Sequence, residues 1–283
     1  MVTALECLPC FLKQTIIALR QYYGLHDAGR ELEIMRGVLA IMQEADMSKP
    51  PAYTTTFIHR LIRDMLGEDP FKKIKYDYNN IALDLYPKLK DLVREGDDPL
   101  LKAARLAIAG NIIDFGIFTS IDIESSVKKS LEASIAVDDY ADFRKAVYES
   151  ENILYLLDNA GEIVFDRLLI EELASMGKRV TAVVKGSPVL NDVTNADAVQ
   201  TDLSGVCDVM DNGSDAVGTI VEWTSPEFQD AFRSAELVIS KGQGNFETLT
   251  GTEKKAFFLF QSKCDVVSKE LGLSPGSMLL KKS

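Results

Sequence analysis

The spacing of apolar residues divides the chain into two parts. In residues 1–148, apolar side chains recur every three or four positions, as on one face of an α-helix. Residues 4–20, 31–46 and 100–110 show this pattern most clearly. Prolines and an Asp-Asp-Pro break separate further helices. We therefore expect an almost entirely helical region with very little strand, in which Gly110 ends the third of these helices.

From about residue 150, short apolar runs alternate with amphipathic segments. The runs of buried-strand type are 153–157, 179–184, 237–240 and 256–260. A helix is predicted over 162–176, and Gly177 ends it. Strands that alternate with helices indicate parallel βαβ units. The predicted fold is a three-layer α/β/α sandwich with a mostly parallel sheet, preceded by the helical N-terminal region.

The predicted organisation has two parts. Residues 1–148 are expected to form a helical region that covers a cleft, and residues 149–283 an α/β domain that carries the functional site. The length of 283 residues fits either one large domain or two ordinary ones.

Composition and charge narrow the possible partners. The chain is 46% hydrophobic and 26% charged, as in an ordinary globular protein. It has 43 acidic and 31 basic side chains, for a net charge of −12. The basic surface that nucleic-acid binding needs is missing. With no apolar run near the ~20 residues of a membrane span and no export signal, we expect no membrane association and a cytoplasmic location. Nothing in the sequence defines an oligomeric state.

Polar side chains follow two of the predicted strands. Asp158 and Asn159 come directly after the run at 153–157, and Asp192 follows the run at 179–184. In an open parallel sheet, ligands bind beyond the carboxyl ends of the strands. Carboxylate and amide oxygens are ligands for hard divalent cations such as Mg²⁺ or Mn²⁺. The alternative interpretation is structural, with Asp158 and Asp192 as turn or helix N-cap residues.

A glycine-containing loop follows the run at 237–240. Lys241 is followed by Gly242 and Gly244, and glycines at a strand end let backbone N–H groups approach an anion. The lysine would add positive charge in a half of the chain with 20 acidic and 12 basic groups. The loop matches neither the P-loop nor the dinucleotide-binding pattern. An ordinary tight turn is therefore the alternative.

Two polar residues interrupt an apolar stretch in the helical region. Asn111 and Asp114 lie within AIAGNIIDFGIF, and burying them without partners would cost a few kcal/mol. They could face the cleft from the helical side. Alternatively, Asn111 caps the helix and Asp114 bonds locally.

Cys7 and Cys10 form a C-x-x-C pair in a helical context. A structural zinc site needs four ligands, and only the distant Cys207 and Cys264 could complete it. A thioredoxin-like pair should follow a strand. The remaining interpretation is two core thiols on a helix, so Cys7 and Cys10 are kept as a possible secondary thiol site.

Taken together, these segments resemble the damage-control phosphatases, a family long described as a domain of unknown function. The segments that carry the resemblance are CLPC (7–10), AGNIIDFG (109–116), ILYLLDNAGE (153–162), SPVLNDVT (187–194) and KGQGNFE (241–247). The C-x-x-C pair is typical of the prokaryotic branch. The R-T-x-K motif of the eukaryotic branch is absent.

The resemblance implies a metal-dependent phosphatase that acts on phosphomonoesters of small metabolites, such as sugar phosphates or damaged phosphometabolites. It implies Mn²⁺, Ni²⁺, Co²⁺ or Mg²⁺ held by Asp158, Asn159 and Asp192. The catalytic candidates are Asp158, Asp192, Lys241 and Asp114. The substrate-binding candidates are Asn111, Asp114, Lys241, Gly242, Gly244, Asn245 and Glu162. The alternatives are an S-adenosylmethionine-dependent carboxyl methyltransferase and a non-enzymatic protein that binds a metal or a sugar phosphate.

Overall fold

The fold comes from a computed structural model, which describes residues 1–22, 27–95, 97–112 and 127–283. The first three helices pack on one another around a core of their own that includes Phe11, Ile34 and Ile58. The next two helices pack against the sheet. The bounds are α1 Cys7–Gln21, α2 Ala28–Gln43, α3 Pro51–Leu66, α4 Lys72–Arg94 and α5 Pro99–Ile112.

The described residues form one sheet of seven strands. The strands are β1 Ile135–Asp138, β2 Asn152–Leu156, β3 Arg179–Val184, β4 Asp208–Asp211, β5 Leu237–Lys241, β6 Ala256–Gln261 and β7 Met278–Lys282. Their order across the sheet is β1-β7-β6-β5-β2-β3-β4. Neighbouring strands are parallel except for β6 and β7, so β1 and β7 run opposite to the rest.

Helices cover both faces of this sheet, which confirms the predicted three-layer sandwich. The later helices are α6 Tyr140–Glu149, α7 Glu162–Ser175, α8 Asn195–Gln200, α9 Pro226–Ser234, α10 Gln243–Leu249 and α11 Asp265–Leu271. One face packs on α4, α5, α6 and α7, and the other packs on α9, α10 and α11.

Alternation along β2 shows how the two layers arise. Ile153 and Tyr155 belong to the core on the α5 and α7 side, while Leu154 and Leu156 belong to the core on the other side. Successive strand side chains point to opposite faces, so a strand buried on both sides reads as a continuous apolar run. That is why the four central strands were predictable.

The three strands that the sequence analysis did not predict lie toward the edges of the sheet. β1 and β4 are edge strands of four residues each, and β7 lies next to β1. Their apolar runs are too short or too mixed to stand out. Before residue 148, the described residues contain the single short strand β1, which pairs with β7, in line with the expectation of very little strand.

Helices from both sides of the predicted boundary at 148/149 share one hydrophobic core. Helices α4 and α5 belong to the same hydrophobic core as α7 and the sheet. Gly110 does not end a helix, since α5 continues to Ile112. A Cβ on Gly110 would lie 2.9 Å from Phe165, so this glycine permits the close approach of α5 to α7.

In the ranges that the structure describes, every helix is too short or too polar to cross a membrane.

Candidate active site

The predicted metal ligands meet at the carboxyl edge of β2 and β3. These strands are parallel neighbours, and the segments that follow them pair with each other. Asn159 and Asp192 form an isolated antiparallel bridge. The Val193 N–H donates to the Asp158 carbonyl at 2.9 Å, and the Ala160 N–H donates to the Asn191 carbonyl at 2.9 Å. The backbone therefore holds Asp158, Asn159 and Asp192 together.

Neither carboxylate serves as a helix cap. Gly161 is the N-cap of α7, and it adopts φ +78°. Thr194 is the N-cap of α8 and forms a capping box with Asp197. The helix-cap interpretation of Asp158 and Asp192 is therefore wrong.

Asp158 lies where negative charge converges. Its Oδ2 accepts hydrogen bonds from Asn159 Nδ2 at 2.6 Å and from Asn111 Nδ2 at 3.2 Å. Burial, reinforced by the nearby carboxylates of Glu162 and Asp192, raises the pKa of Asp158 well above its usual value. A bound cation would relieve this repulsion.

Asp192 is buried and only partly satisfied. Lys185 Nζ lies 3.4 Å from Asp192 Oδ2, which is an ion-pair distance. Yet that oxygen accepts no hydrogen bond from any described residue. Burial raises the pKa of Asp192, although Lys185 opposes the shift. A carboxylate oxygen that accepts no hydrogen bond and lies beside Asp158 and Asn159 is a suitable ligand for a hard divalent cation, in both its charge and its chemistry.

The amides of Asn159 and Asn111 are oriented by carboxylates. Asn159 Nδ2 also donates to Glu162 Oε2 at 3.2 Å, so the NH₂ group of Asn159 faces the two acids. Asn111 Nδ2 donates to the same Glu162 oxygen at 2.8 Å. The Asn111 Oδ1 accepts the backbone N–H of Gln261 at 3.2 Å. Both ends of the Asn111 amide are therefore bonded within the protein. Asn111 connects Glu162 to the backbone of Gln261 and does not cap a helix.

Lys241 does not face the cavities. It is fully buried, and its Nζ donates to Ala107 O at 2.9 Å, Glu162 Oε1 at 2.5 Å and Asp166 Oδ1 at 2.7 Å. An ammonium has three N–H groups, and these three acceptors use all of them. The geometry therefore does not support the predicted contact between Lys241 and a phosphoryl group. Its position follows from strand parity, since Lys241 is on the same face of β5 as Leu237 and Ile239.

The residues of the glycine loop after β5, Gly242 to Asn245, bond mainly within the protein. The Gly242 N–H donates to Leu259 O at 3.3 Å and is thus engaged within the protein. Asn245 is buried, and its Nδ2 donates to Leu157 O at 3.2 Å and to Lys241 O at 2.8 Å. The Gly242 N–H and the Asn245 side-chain NH₂ therefore donate within the protein and not toward the predicted substrate. Gly244, by contrast, lines a cavity.

Two adjoining cavities meet at Asn159 and Lys263. The smaller, of about 370 Å³, is lined by Ile17, Gln21, Phe71, Ile74, Tyr78, Gly110, Asn111, Asn159, Ala160, Glu162, Asn191, Gln261 and Lys263. The larger, of about 510 Å³, is bordered by Asp158, Asn159 and Asp192 from the strand ends and by Cys7, Phe11, Ala52 and Thr55 from the helical bundle. Helix α1 thus borders both cavities.

Lys263 is a positively charged residue at the site that the sequence did not point to. It is exposed, lines both cavities, and acts on Asp158 in the direction that lowers the pKa of that carboxyl. Lys263 comes two residues after β6, and the strand-end reasoning applied to β2 and β3 would have found it there. Lys263 was not predicted because the polar residues around it form no recognisable motif.

The two cysteines of the C-x-x-C pair border the larger cavity. Cys7 is buried and Cys10 is exposed, and burial raises the pKa of the Cys7 thiol. In the described part of the chain, no three His, Cys, Asp or Glu side chains are arranged to hold a metal ion. The predicted metal set accordingly consists of two carboxylates and one amide. Asp114, predicted to be catalytic and substrate-binding, lies outside the described residues.

The fold and this arrangement agree with the sequence comparison. The chain belongs to the family of the damage-control phosphatase ARMT1-like domain, which it matches over residues 3–279. The match spans nearly the whole chain, as the ordered motifs predicted.

Curated relatives and a solved structure extend this assignment. Damage-control phosphatase PH1575 of Pyrococcus horikoshii is 33% identical, over 97% of this chain and 96% of that protein. A damage-control phosphatase of Archaeoglobus fulgidus is 33% identical over 86% of each chain. The uncharacterized protein MJ0202 of Methanocaldococcus jannaschii is 34% identical over 98% of this chain and 94% of its own length.

The crystal structure of the Pyrococcus horikoshii protein, described as a DUF89 family protein, superimposes with a TM-score of 0.91. The sequences are 31% identical, and the match covers 100% of this chain and 99% of that one. The sandwich is thus shared with a solved relative. These comparisons support a damage-control phosphatase, and nothing in them supports the methyltransferase alternative.

Proposed function

We propose that this protein is a metal-dependent phosphatase that hydrolyses phosphomonoesters of small metabolites as a form of metabolite damage control. The observation that carries the proposal is the convergence of Asp158, Asn159 and Asp192 at one sheet edge, with a buried Asp192 oxygen that lacks a hydrogen bond among the described residues. The relatives named damage-control phosphatases supply the reaction class.

Asp158, Asn159 and Asp192 would hold one divalent cation, with Mn²⁺, Ni²⁺, Co²⁺ or Mg²⁺ as candidates. The bound cation supplies Lewis-acid polarisation of a phosphoryl oxygen. Lys185 keeps Asp192 in place through the ion pair at 3.4 Å and also donates to the Gly218 carbonyl. The protein thus fixes its acidic ligands before any substrate arrives.

Lys263 is the residue that we expect to bind the phosphoryl group. Its ammonium is exposed at the junction of both cavities, whereas Lys241 and Lys185 are buried in ion pairs. A cation beside the reacting phosphoryl group stabilises charge in the transition state. Lys263 therefore takes the part that the sequence analysis assigned to Lys241.

The two cavities set the size of the substrate. Volumes of about 370 and 510 Å³ suit a small phosphorylated metabolite. The smaller cavity is lined by the amide residues Gln21 and Asn191 beside Tyr78. Amides and an aromatic ring suit a polar, uncharged leaving group such as a sugar.

The decisive experiment is an assay of metal-stripped protein with p-nitrophenyl phosphate and a panel of sugar phosphates. We expect turnover only after Mn²⁺, Co²⁺, Ni²⁺ or Mg²⁺ is restored, because the site supplies oxygen ligands for one cation. Full activity in excess chelator would contradict the proposal.

Variants at the ligands make the test specific. Asp158→Ala and Asp192→Ala should each abolish metal-dependent turnover and lower the metal content of the folded protein. Asp211→Ala is the matched control, because Asp211 also ends a strand of this sheet but lines neither cavity. Wild-type metal content in both ligand variants would show that other residues bind the metal.

A further inference from the structure

A chain of buried polar groups runs from the core to the base of the site. The Tyr155 hydroxyl donates to Asp166 Oδ1 at 2.8 Å, and Lys241 Nζ donates to the same oxygen at 2.7 Å. Lys241 also donates to Glu162 Oε1 at 2.5 Å. The other oxygen of Glu162 accepts from Asn111 and Asn159, as described above. All of these acidic and basic side chains are at most 1% exposed.

We propose that Lys241, Asp166 and Tyr155 are positioning residues that hold the Glu162 carboxylate in place, so that Glu162 orients the amides of Asn111 and Asn159 around the metal ligands. The proposal rests on the proposed metal-dependent function. It gives a role to the buried ion triad of Lys241, Glu162 and Asp166, whose charged groups bond to one another and do not contact the substrate in the proposed mechanism.

The orientation argument follows from amide chemistry. An asparagine side chain has a donor end and an acceptor end, and only its oxygen can bind a cation. Because the NH₂ of Asn159 donates to Glu162 Oε2, the Asn159 oxygen is directed away from Glu162 and is the end of the amide that a cation would bind. The Glu162 carboxylate enforces this arrangement by accepting from Asn159 and Asn111, whereas a displaced Glu162 would permit the amide to turn over.

Burial of this ion triad is energetically unfavourable, which favours a role beyond packing. Burying charges costs several kcal/mol per ion unless geometry and hydrogen bonds compensate, and well-packed apolar residues are often at least as stable. Glu162 and Asp166 are one helical turn apart on α7 and face β5 together. Lys241 sits between them and offsets their repulsion, so its loss would leave two adjacent buried carboxylates.

The test measures Mn²⁺ affinity of the metal-stripped full-length protein by calorimetry, with unfolding in excess chelator as a separate readout. Lys241→Met should weaken Mn²⁺ binding roughly 10- to 100-fold, the range typical of residues that orient metal ligands. Asp166→Asn should weaken Mn²⁺ binding by less than Lys241→Met but still several-fold, because the amide keeps an acceptor for Tyr155 and Lys241 and loses the negative charge that holds Lys241. Tyr155→Phe should have the smallest effect.

The matched control is Lys90→Met. Lys90 pairs with Glu171 at 2.7 Å and bonds to the Tyr86 hydroxyl, so it belongs to a second Lys-Glu-Tyr trio, between α4 and α7, that lines neither cavity. A merely structural role for Lys241 would lower stability in chelator, as in Lys90→Met, and leave Mn²⁺ affinity unchanged. That result would overturn the proposal.

Two further outcomes separate this proposal from the proposed function. Mn²⁺ binding that depends on Lys241 without turnover on any phosphomonoester would refute the phosphatase and leave the positioning role standing. Failure of the wild-type protein to bind any divalent cation would overturn both. If Lys241→Met does not fold, Asp166→Asn decides, and wild-type Mn²⁺ affinity in that variant would refute the positioning role.

Discussion

Gly242 lies directly against the carboxylate of Asp158. A Cβ on Gly242 would be 2.0 Å from Asp158 Oδ2, far inside van der Waals contact, and the residue adopts φ +82°. The glycine loop after β5 therefore packs against Asp158 and limits where the carboxylate of this proposed metal ligand can lie. Its glycine is needed for space as well as for backbone conformation.

This contact predicts that Gly242→Ala displaces Asp158 and weakens divalent metal binding roughly tenfold or more. Gly251→Ala is a closely matched control, because Gly251 has φ +84° and nothing within 4 Å of the added Cβ. Both variants should lose about 1–3 kcal/mol of stability, because alanine disfavours positive φ, and Gly242→Ala should lose more because its Cβ meets the Asp158 carboxylate. Equal metal affinity in the two variants, measured by calorimetry, would show that Asp158 does not depend on this contact.

Lys263→Ala should impair catalysis more than metal binding. Loss of one charge contact to the transition state typically lowers the rate about 10²-fold. Metal affinity should stay constant or tighten slightly, because a nearby positive charge is removed. The measurement is kcat/KM beside the metal Kd, with Lys269→Ala as the control at an exposed lysine on α11. A kcat/KM within about threefold of wild type would exclude phosphoryl binding by Lys263.

The double variant Cys7→Ser, Cys10→Ser should keep turnover within about tenfold of wild type, because a hard-cation site built from oxygens needs no thiolate. Some loss of stability is expected, since Cys7 is buried in the core of the helical bundle. Turnover and thermal midpoint are compared with Cys207→Ser, whose residue borders neither cavity. A folded but inactive double variant would place the thiols in the catalytic machinery.

His59 predicts a specific pH dependence of stability. Burial, and secondarily Arg63, lowers the pKa of His59 from 6.5 to about 4. The unfolded chain therefore binds the proton more readily than the folded one between pH 4 and 6.5. The stabilisation is fully present above pH 6.5 and is lost as the pH falls toward 4, by roughly 3 kcal/mol.

The measurement is urea unfolding of wild type and His59→Leu at several pH values from 4 to 7. Because Asp166 and Glu247, whose pKa values burial raises to about 7, titrate in overlapping ranges, the quantity of interest is the difference between the two proteins. We expect the wild type to lose stability relative to the variant as the pH falls. Parallel curves would contradict the buried neutral state of His59.

The sequence by itself determined the order of the main elements and the position of the residues proposed to bind a metal. The central strands are buried on both faces and read as continuous apolar runs, and parallel strands place their following residues at one edge. Local pattern therefore predicted that Asp158, Asn159 and Asp192 lie together. The edge strands β1 and β4 were missed because four residues carry too little pattern.

The tertiary structure decided which polar groups work together. Asn111 lies 150 residues from Gln261 and 47 from Asp158, yet it bonds to both. Lys241 turns into the core between α5 and α7, while Lys263 takes the exposed position. Periodicity reports the face on which a side chain lies. The partner it meets there depends on how distant elements pack, and it is this packing that places the Glu162 and Asp166 carboxylates around Lys241.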